Sequence, residues 1–340
     1  MTYQKKIENQ NMNLSIVYQG SFSHVKTKQQ KMRLIQNILF LKENNIDCEI
    51  IISSWKGEKL DYLNKVADNI IYNKDPGPLP SLKFDGKLNN VNRLIVSSSA
   101  GVRAARGKYI VKLRSDLEFY LTDIVDFYEN QCRLYENIPP SVYSKKIICC
   151  NLFTIDPKLA ERMPYHVSDW IQIGTSYDIV KFWDIELYGL SDALYYNFNK
   201  HAKNSNALEK AFQSKFAVEQ YITVSAARNF GHNIQLNYHN DFSSQVIKDY
   251  YEFLLSNYII NDISTMRLIN DKYKDLNASL FFKLTCISER RYKKMHDYSL
   301  RKKNIDFNNS ILSVIFRFIF FIKNTKKNFK SFFKLLKVIF

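Results

Sequence analysis

The segment Tyr109-Ile-Val-Lys-Leu-Arg-Ser-Asp-Leu-Glu118 carries charge where a buried strand normally carries none. Side chains alternate along a strand, so Ile110, Lys112, Arg114, Asp116 and Glu118 share one face and Tyr109, Val111 and Leu113 the other. A central strand of a parallel sheet is covered on both faces and reads apolar throughout. An unpaired buried charge is costly, so these charged groups either pair with one another or open into a polar cleft. The carboxyl end of such a strand is where open α/β sheets bind ligands. Arg114, Asp116 and Glu118 there suit a metal ion and a diphosphate. An edge strand with a solvated, self-paired face is the plain structural alternative, and spacing alone weighs the two equally.

The residues before this strand add weight to a cleft. Asn89-Asn90-Val91-Asn92-Arg93 begins a helix, and Asn89 and Arg93 are four apart on one face. Helix starts attract anions through free N–H groups and the helix dipole. Simple N-capping by Asn89 or Asn90 is the competing explanation for one of them.

These groups need a scaffold. Leu14–Gln19 reads as a buried strand ending in Gly20. Residues 25–43 have helical spacing, with Met32, Ile35, Leu39 and Phe40 on one face. Cys48–Ser53 and Asn69–Tyr72 read as strands, the latter stopped by Asp75-Pro76-Gly77-Pro78. A helix over Asn89–Ala105 follows, with Gly107 as its stop, and then the strand Tyr109–Leu113. This alternation predicts a largely parallel α/β sheet of the nucleotide-binding type. Beyond it, Ile147–Asn151, Trp170–Gly174 and Asn233–Tyr238 read as strands, and Val218–Phe230 and Ser244–Asn257 as helices.

Composition narrows the classes. The 340 residues are 46% hydrophobic and 14% aromatic with nine glycines, which excludes a disordered or fibrous chain. The net charge of +16 calls for an anionic partner. Residues 286–340 hold fourteen Lys and Arg against three acids, +11 of that total, which leaves only +5 for the first 285 residues. A uniformly basic nucleic-acid binder does not distribute charge this way. Cys48, Cys132, Cys149, Cys150 and Cys286 form no CxxC and no zinc spacing, which fits a reducing compartment. The polar start lacks the apolar core of a signal peptide, and no apolar run reaches the roughly 20 residues that span a bilayer.

The last residues have a pattern of their own. Ile311–Ile322 is apolar except around Arg317. Beyond it, Lys323, Lys326, Lys327, Lys330, Lys334 and Lys337 recur every three or four residues opposite Phe329, Phe332, Phe333, Leu336 and Phe340. A lysine face and an aromatic face suit a helix lying in an anionic membrane interface. A terminal helix docked on the body is the alternative. The expected organisation is a polar extension over 1–12, a catalytic domain over 13–285 and a basic membrane-associating tail over 286–340.

The motifs YQG, SSWKGE, NKDPGPLP, FDGKLNNVNRLIVSS, ARGKYIVKLRSDLE, MPYHVSDWIQIG and VEQYI, in this order from about Leu14 to Tyr238, resemble the WavE lipopolysaccharide-synthesis family. The resemblance implies a GT-A-like glycosyltransferase with a Rossmann-type mixed sheet flanked by helices. It would move a sugar from a nucleotide-activated donor to a lipid-linked or oligosaccharide acceptor of a lipopolysaccharide, capsule or related surface glycan. The expected place is the cytoplasmic side, attached peripherally to the inner face of a bacterial plasma membrane.

The resemblance also implies roles. The Asp-X-Asp motif that holds a divalent ion in GT-A enzymes falls on Arg114-Ser115-Asp116, where the first acid is replaced. Asp116, Glu118 and His239 are the implied ligands for Mg²⁺ or Mn²⁺, with Arg114 as a phosphate clamp the alternative. Gln19, Gly20, Asp75, Asn89, Asn92, Arg93, Lys112, Arg114 and Asp116 are the implied donor-binding residues. Glu219 is favoured as the catalytic base. Asp169, beside Trp170 as a sugar-stacking surface, is favoured for the acceptor, and the reversed assignment stays open. His166 is a lesser candidate. Two other classes compete: a basic nucleic-acid-binding protein, and a nucleotidyl- or phosphotransferase on a similar α/β fold. No nucleic-acid signature and no P-loop support them, and no nucleic-acid partner is expected.

Overall fold

The computed structural model describes residues 12–158, 162–271, 282 and 285–301. Along them run β1 (Leu14–Gln19), α1 (Lys28–Glu43), β2 (Cys48–Trp55), β3 (Asn69–Asn73), α2 (Val91–Arg103), β4 (Tyr109–Arg114), β5 (Glu118–Phe119), α3 (Ile124–Leu134), β6 (Ile147–Cys150), β7 (Ile171–Thr175), α4 (Ser176–Phe182), α5 (Leu190–Ala193), α6 (Tyr195–Phe198), α7 (Val218–Asn229), α8 (Ser244–Asn257), β8 (Tyr258–Asn261), β9 (Leu268–Ile269) and α9 (Glu289–Leu300).

The main sheet has the order β3-β2-β1-β4-β7-β6-β8. β1 to β4 pair in parallel, β7 runs antiparallel to both β4 and β6, and β8 returns parallel to β6. This is a mixed α/β sheet flanked by helices, as the family resemblance implies, with β7 reversed where the alternation of elements predicts a largely parallel sheet. All six residues of β1 are buried, as its apolar run requires of a strand covered on both faces. From β1 the chain winds one way to β2 and β3, then crosses back to place β4 on the other side of β1. The crevice outside the carboxyl ends of β1 and β4 is therefore the topological switch point.

Three local expectations are corrected. On α1 the buried residues are Leu34, Asn37, Ile38 and Leu41, whereas Met32 and Leu39 are 47% and 40% exposed. The helix is rolled because Asn37 has work inside. Its Oδ1 accepts from Tyr18 Oη at 2.8 Å and from the Phe119 N–H at 3.3 Å, and its Nδ2 donates to Phe119 O at 2.8 Å. Gly107 is not the stop of α2, which ends at Arg103. Its N–H donates to Ser15 Oγ at 2.7 Å, and a Cβ there would sit 2.5 Å from the Ser15 backbone nitrogen, so close approach to β1 requires glycine. Residues 233–238 form no strand. The Asn237 backbone and side-chain nitrogens are instead taken by Asp241 Oδ2.

The stretch from Cys286 is continuous with the body through Arg301. Ile287 N–H donates to Thr154 O, and α9 buries Tyr292, Met295 and His296. Tyr292 Oη donates to Tyr258 O at 2.5 Å, and Arg291 pairs with the buried Asp156. The apolar and lysine-rich stretch expected to form an interfacial helix, 311–340, lies outside the described residues. Among the described residues no helix is long and apolar enough to cross a membrane.

Candidate active site

The switch point holds a cavity of about 1190 Å³. The loop after β1 forms one wall. Gly20 adopts φ +108°, a conformation that favours glycine, and its N–H donates to Ser53 O. The turn after β4 is tied to that loop. The Ser115 N–H donates to Gln19 O at 2.9 Å and Ser115 Oγ donates to Ser21 O at 2.7 Å. Gln19 Oε1 in turn accepts from Ser97 Oγ on α2 at 2.8 Å. Strand ends and helix are thus locked together around the opening.

Charged groups line the cavity in pairs. Arg114 binds Asp116 through two parallel bonds, Nε to Oδ1 at 3.0 Å and Nη2 to Oδ2 at 2.6 Å. The Arg114 guanidinium carbon lies 4.8 Å from the centre of the Trp170 ring. Glu118 pairs with Arg33 and accepts from Tyr120 Oη. Arg93 binds Asp75 the same bidentate way, at 2.8 and 2.7 Å, and these bonds hold the Asp75 carboxyl below its ordinary range. Asp75 also accepts from the Gly77 N–H, the turn contact expected of an aspartate before Pro-Gly.

Glu219 and Asp169 share the same cavity. Glu219 sits in the first turn of α7 with its side chain 17% exposed, 3.2 Å from His166 Nε2. His166 Nδ1 lies 2.8 Å from Phe153 O, an atom that can only accept, so Nδ1 carries the hydrogen. Nε2 is then the ring nitrogen that faces the Glu219 carboxylate. Burial raises the Glu219 pKa and the nearby Asp169 charge adds to this, against His166 and Arg114. Phe153 and Tyr165, which flank the His166 contact, both adopt positive φ (+64° and +61°). Such strain persists where surrounding structure enforces it, and it clusters at functional sites.

The structure separates several expected site residues from the cavity. Lys112 is fully buried behind it, its Nζ donating to Asp169 O at 2.5 Å and lying 3.8 Å from Asp169 Oδ2. Asn89, one residue before the N-cap Asn90, is buried with its Oδ1 accepting from the Val91 N–H at 3.0 Å. Asn92 is buried and ties α2 to Tyr188 by two bonds. Trp170 is only 2% exposed, so it supports Arg114 and does not offer a face to sugar. His239 is buried elsewhere, stacked on Phe212, with Nε2 donating to Glu209 O, and desolvation lowers its pKa to about 3.

A divalent ion fits this donor set poorly. His239 is absent from it, and Asp116 and Glu118 are each engaged by an arginine. Among the described residues no three His, Cys, Asp or Glu side chains gather as for a metal.

Sequence reasoning missed several lining residues. Arg33 belongs to α1, whose buried face differs from the one expected, and Trp55 ends β2 with Lys56 just beyond it. Glu58 accepts from Ser21 Oγ, Phe22 N–H and Ser54 Oγ, and so anchors the β1–α1 loop. The signal for Glu58 was its place in SSWKGE, directly after a strand's carboxyl end.

Comparison with known proteins gives a family and distant structural likenesses. The crystal structure of S. aureus TarS aligns at 10% identity and TM-score 0.35, covering 71% of this chain and 38% of TarS. S. aureus TarS 1-349 in complex with UDP-GlcNAc aligns at 11% and 0.34, covering 71% and 64%. HddC from Yersinia pseudotuberculosis complexed with GMP-PN aligns at 12% and 0.27, covering 50% and 79%. The chain thus spans less than two thirds of either TarS chain. No curated protein matches in sequence. The family described as WavE lipopolysaccharide synthesis matches residues 14–312, nearly the whole chain, and the protein belongs to that family.

Proposed function

We propose that the protein is a glycosyltransferase that moves a sugar from a nucleotide-activated donor to a lipid-linked or oligosaccharide acceptor of a bacterial surface glycan. The observation that carries this reading is one cavity, at the switch point of the sheet, holding both an arginine-lined strand end and a partly buried carboxylate of raised pKa. The donor's nucleoside lies toward Gln19, Gly20 and Asp75, and its diphosphate toward Arg114. The acceptor hydroxyl approaches Glu219, with Asp169 beside it. Glu219 takes the hydroxyl proton as the oxygen bonds to the anomeric carbon. The bond from that carbon to the diphosphate breaks, and the electron pair leaves on a nucleoside diphosphate. A carboxylate with raised pKa is the better base near neutral pH. The enzyme works at the inner face of the plasma membrane, held there by the basic tail.

The test is a panel of nucleotide sugars offered to the full chain, read by thermal shift and by release of nucleoside diphosphate. One nucleotide class should stabilise the protein and be turned over slowly by water. Stabilisation by oligonucleotides, with none by nucleotide sugars, would replace this reading with nucleic-acid binding.

A further inference from the structure

Where a divalent ion would be expected after β4, the chain has built a cation of its own. Arg114 takes the place of the first acid in Arg114-Ser115-Asp116, and the second acid is turned onto it. Two contacts brace the guanidinium and a third fixes the backbone that carries it. Asp116 holds its Nε and Nη2 edge, the buried Trp170 ring lies against its face, and the Arg114 N–H donates to Trp170 O at 3.1 Å. Asp116 is fixed in its turn, since Asn270 Nδ2 donates to its backbone oxygen at 3.2 Å and the adjoining Ser115 is bonded to the loop after β1. A guanidinium has five N–H donors in a rigid plane, and a carboxylate on one edge orients the others. The bracing therefore lowers the ordering cost of meeting a phosphate.

The other side chains agree. A divalent ion needs carboxylate oxygens turned toward it. Here Asp116, Glu118 and Asp75 all turn theirs to arginines, and Glu58 turns its own to backbone and hydroxyl donors.

We infer that the diphosphate of the donor is received by the Asp116-braced guanidinium of Arg114, without a divalent metal ion. The inference rests on the nucleotide-sugar reading above and names how that same site neutralises phosphate. In the reaction the charge left on the departing diphosphate is met by Arg114, and no proton needs to reach it.

The experiment is calorimetric titration of the full chain with UDP, GDP, ADP and TDP, each in EDTA and in Mn²⁺. One of these should bind with the same affinity in both. Arg114→Ala should weaken that binding about 10- to 100-fold, the loss expected for a charge-assisted contact. Arg114→Lys, which keeps the charge but not the planar fork, should fall between. Arg114→Asp recreates the two-acid spacing, and its binding should reappear only with Mn²⁺. Wild-type binding that needs Mn²⁺ overturns the inference while leaving the nucleotide-sugar reading intact. Failure of every nucleotide to bind in either condition overturns both. A thermal melt of each variant in the absence of nucleotide separates loss of the contact from loss of the fold.

Discussion

Lys112 and Asp169 form a buried pair at the back of the cavity, with Asp169 facing the cavity and Lys112 behind it. The ammonium has no exposed surface, donates to the Asp169 carbonyl, and lies over the Trp183 ring at 4.5 Å. Around it stand the Asp169 carboxylate, Arg114 two residues on, and the Cys149 and Cys150 thiols of β6. Burial is the main cause of its lowered pKa, about 8, and Asp169 opposes the shift.

Lys112→Met should therefore change stability in a pH-dependent way. An unfolded lysine titrates near 10.4, and the folded one lower. Between these values the unfolded chain binds more protons, so stability rises with pH, by roughly 1 kcal/mol per unit at most. Urea unfolding from pH 8 to 10 should show this slope in the wild type but a smaller one in the methionine variant. Equal slopes would mean that Lys112 is not held at a depressed pKa. The variant should also be weakened at pH 7 by on the order of 3 kcal/mol, because Asp169 loses its cation.

Asn37 tests the packing of α1. Asn37→Leu is close in volume and more apolar, so a hydrophobic ledger alone predicts a neutral or stabilising change. The structure predicts a loss of about 2–4 kcal/mol, since Tyr18 Oη and both backbone groups of Phe119 lose their partner in a dry site. A denaturation midpoint equal to wild type would contradict those bonds.

Such residues show what could be read before folding. β1 was visible because a buried parallel strand needs a nearly continuous apolar run, and β4, despite its charges, because Tyr109, Val111 and Leu113 keep one parity apolar. The charged face of β4 was visible too, by parity. Depth was not. Lys112 and Arg114 point the same way, but two residues of strand, about 7 Å, separate a position under the covering layer from one at the open end. Arg114 emerges and Lys112 does not. The burial of His239 and of Asn37 was hidden for a related reason. A polar side chain is buried when long-range partners happen to satisfy it, and those partners, Glu209 with Tyr196 and Tyr18 with Phe119, lie tens of residues away. Glu219 was legible from its place at a helix start. Its pairing with His166 required the fold.

Lysine spacing beyond residue 322 predicts attachment to an anionic bilayer. Each lysine near an acidic leaflet contributes about 1 kcal/mol, screened by salt. The full chain should float with vesicles containing phosphatidylglycerol, float less with neutral vesicles, and be released by salt. A 1–305 truncation keeps α9 and the residues that α9 packs on, and should stay at the bottom of the gradient. Equal flotation of the two chains would assign the contact to the body.

Glu219 governs the expected pH dependence of transfer. A base works deprotonated, and burial raises this carboxyl's pKa. The rate should therefore climb with pH through a limb above the ordinary glutamate value of about 4.3. His166 opposes the rise, since its positive charge favours the ionised carboxylate. His166→Ala should move the acidic limb to higher pH, and a limb that stays in place would remove the histidine from the proton's path. Glu219→Gln should cost about 10²–10⁴ in turnover while nucleotide binding persists, because Arg114 and the loop after β1 are untouched. Should Asp169→Asn show that behaviour and Glu219→Gln remain active, the two carboxylates exchange roles. Asp169 would then be the base, beside Lys112, and Glu219 with its His166 partner would hold the acceptor.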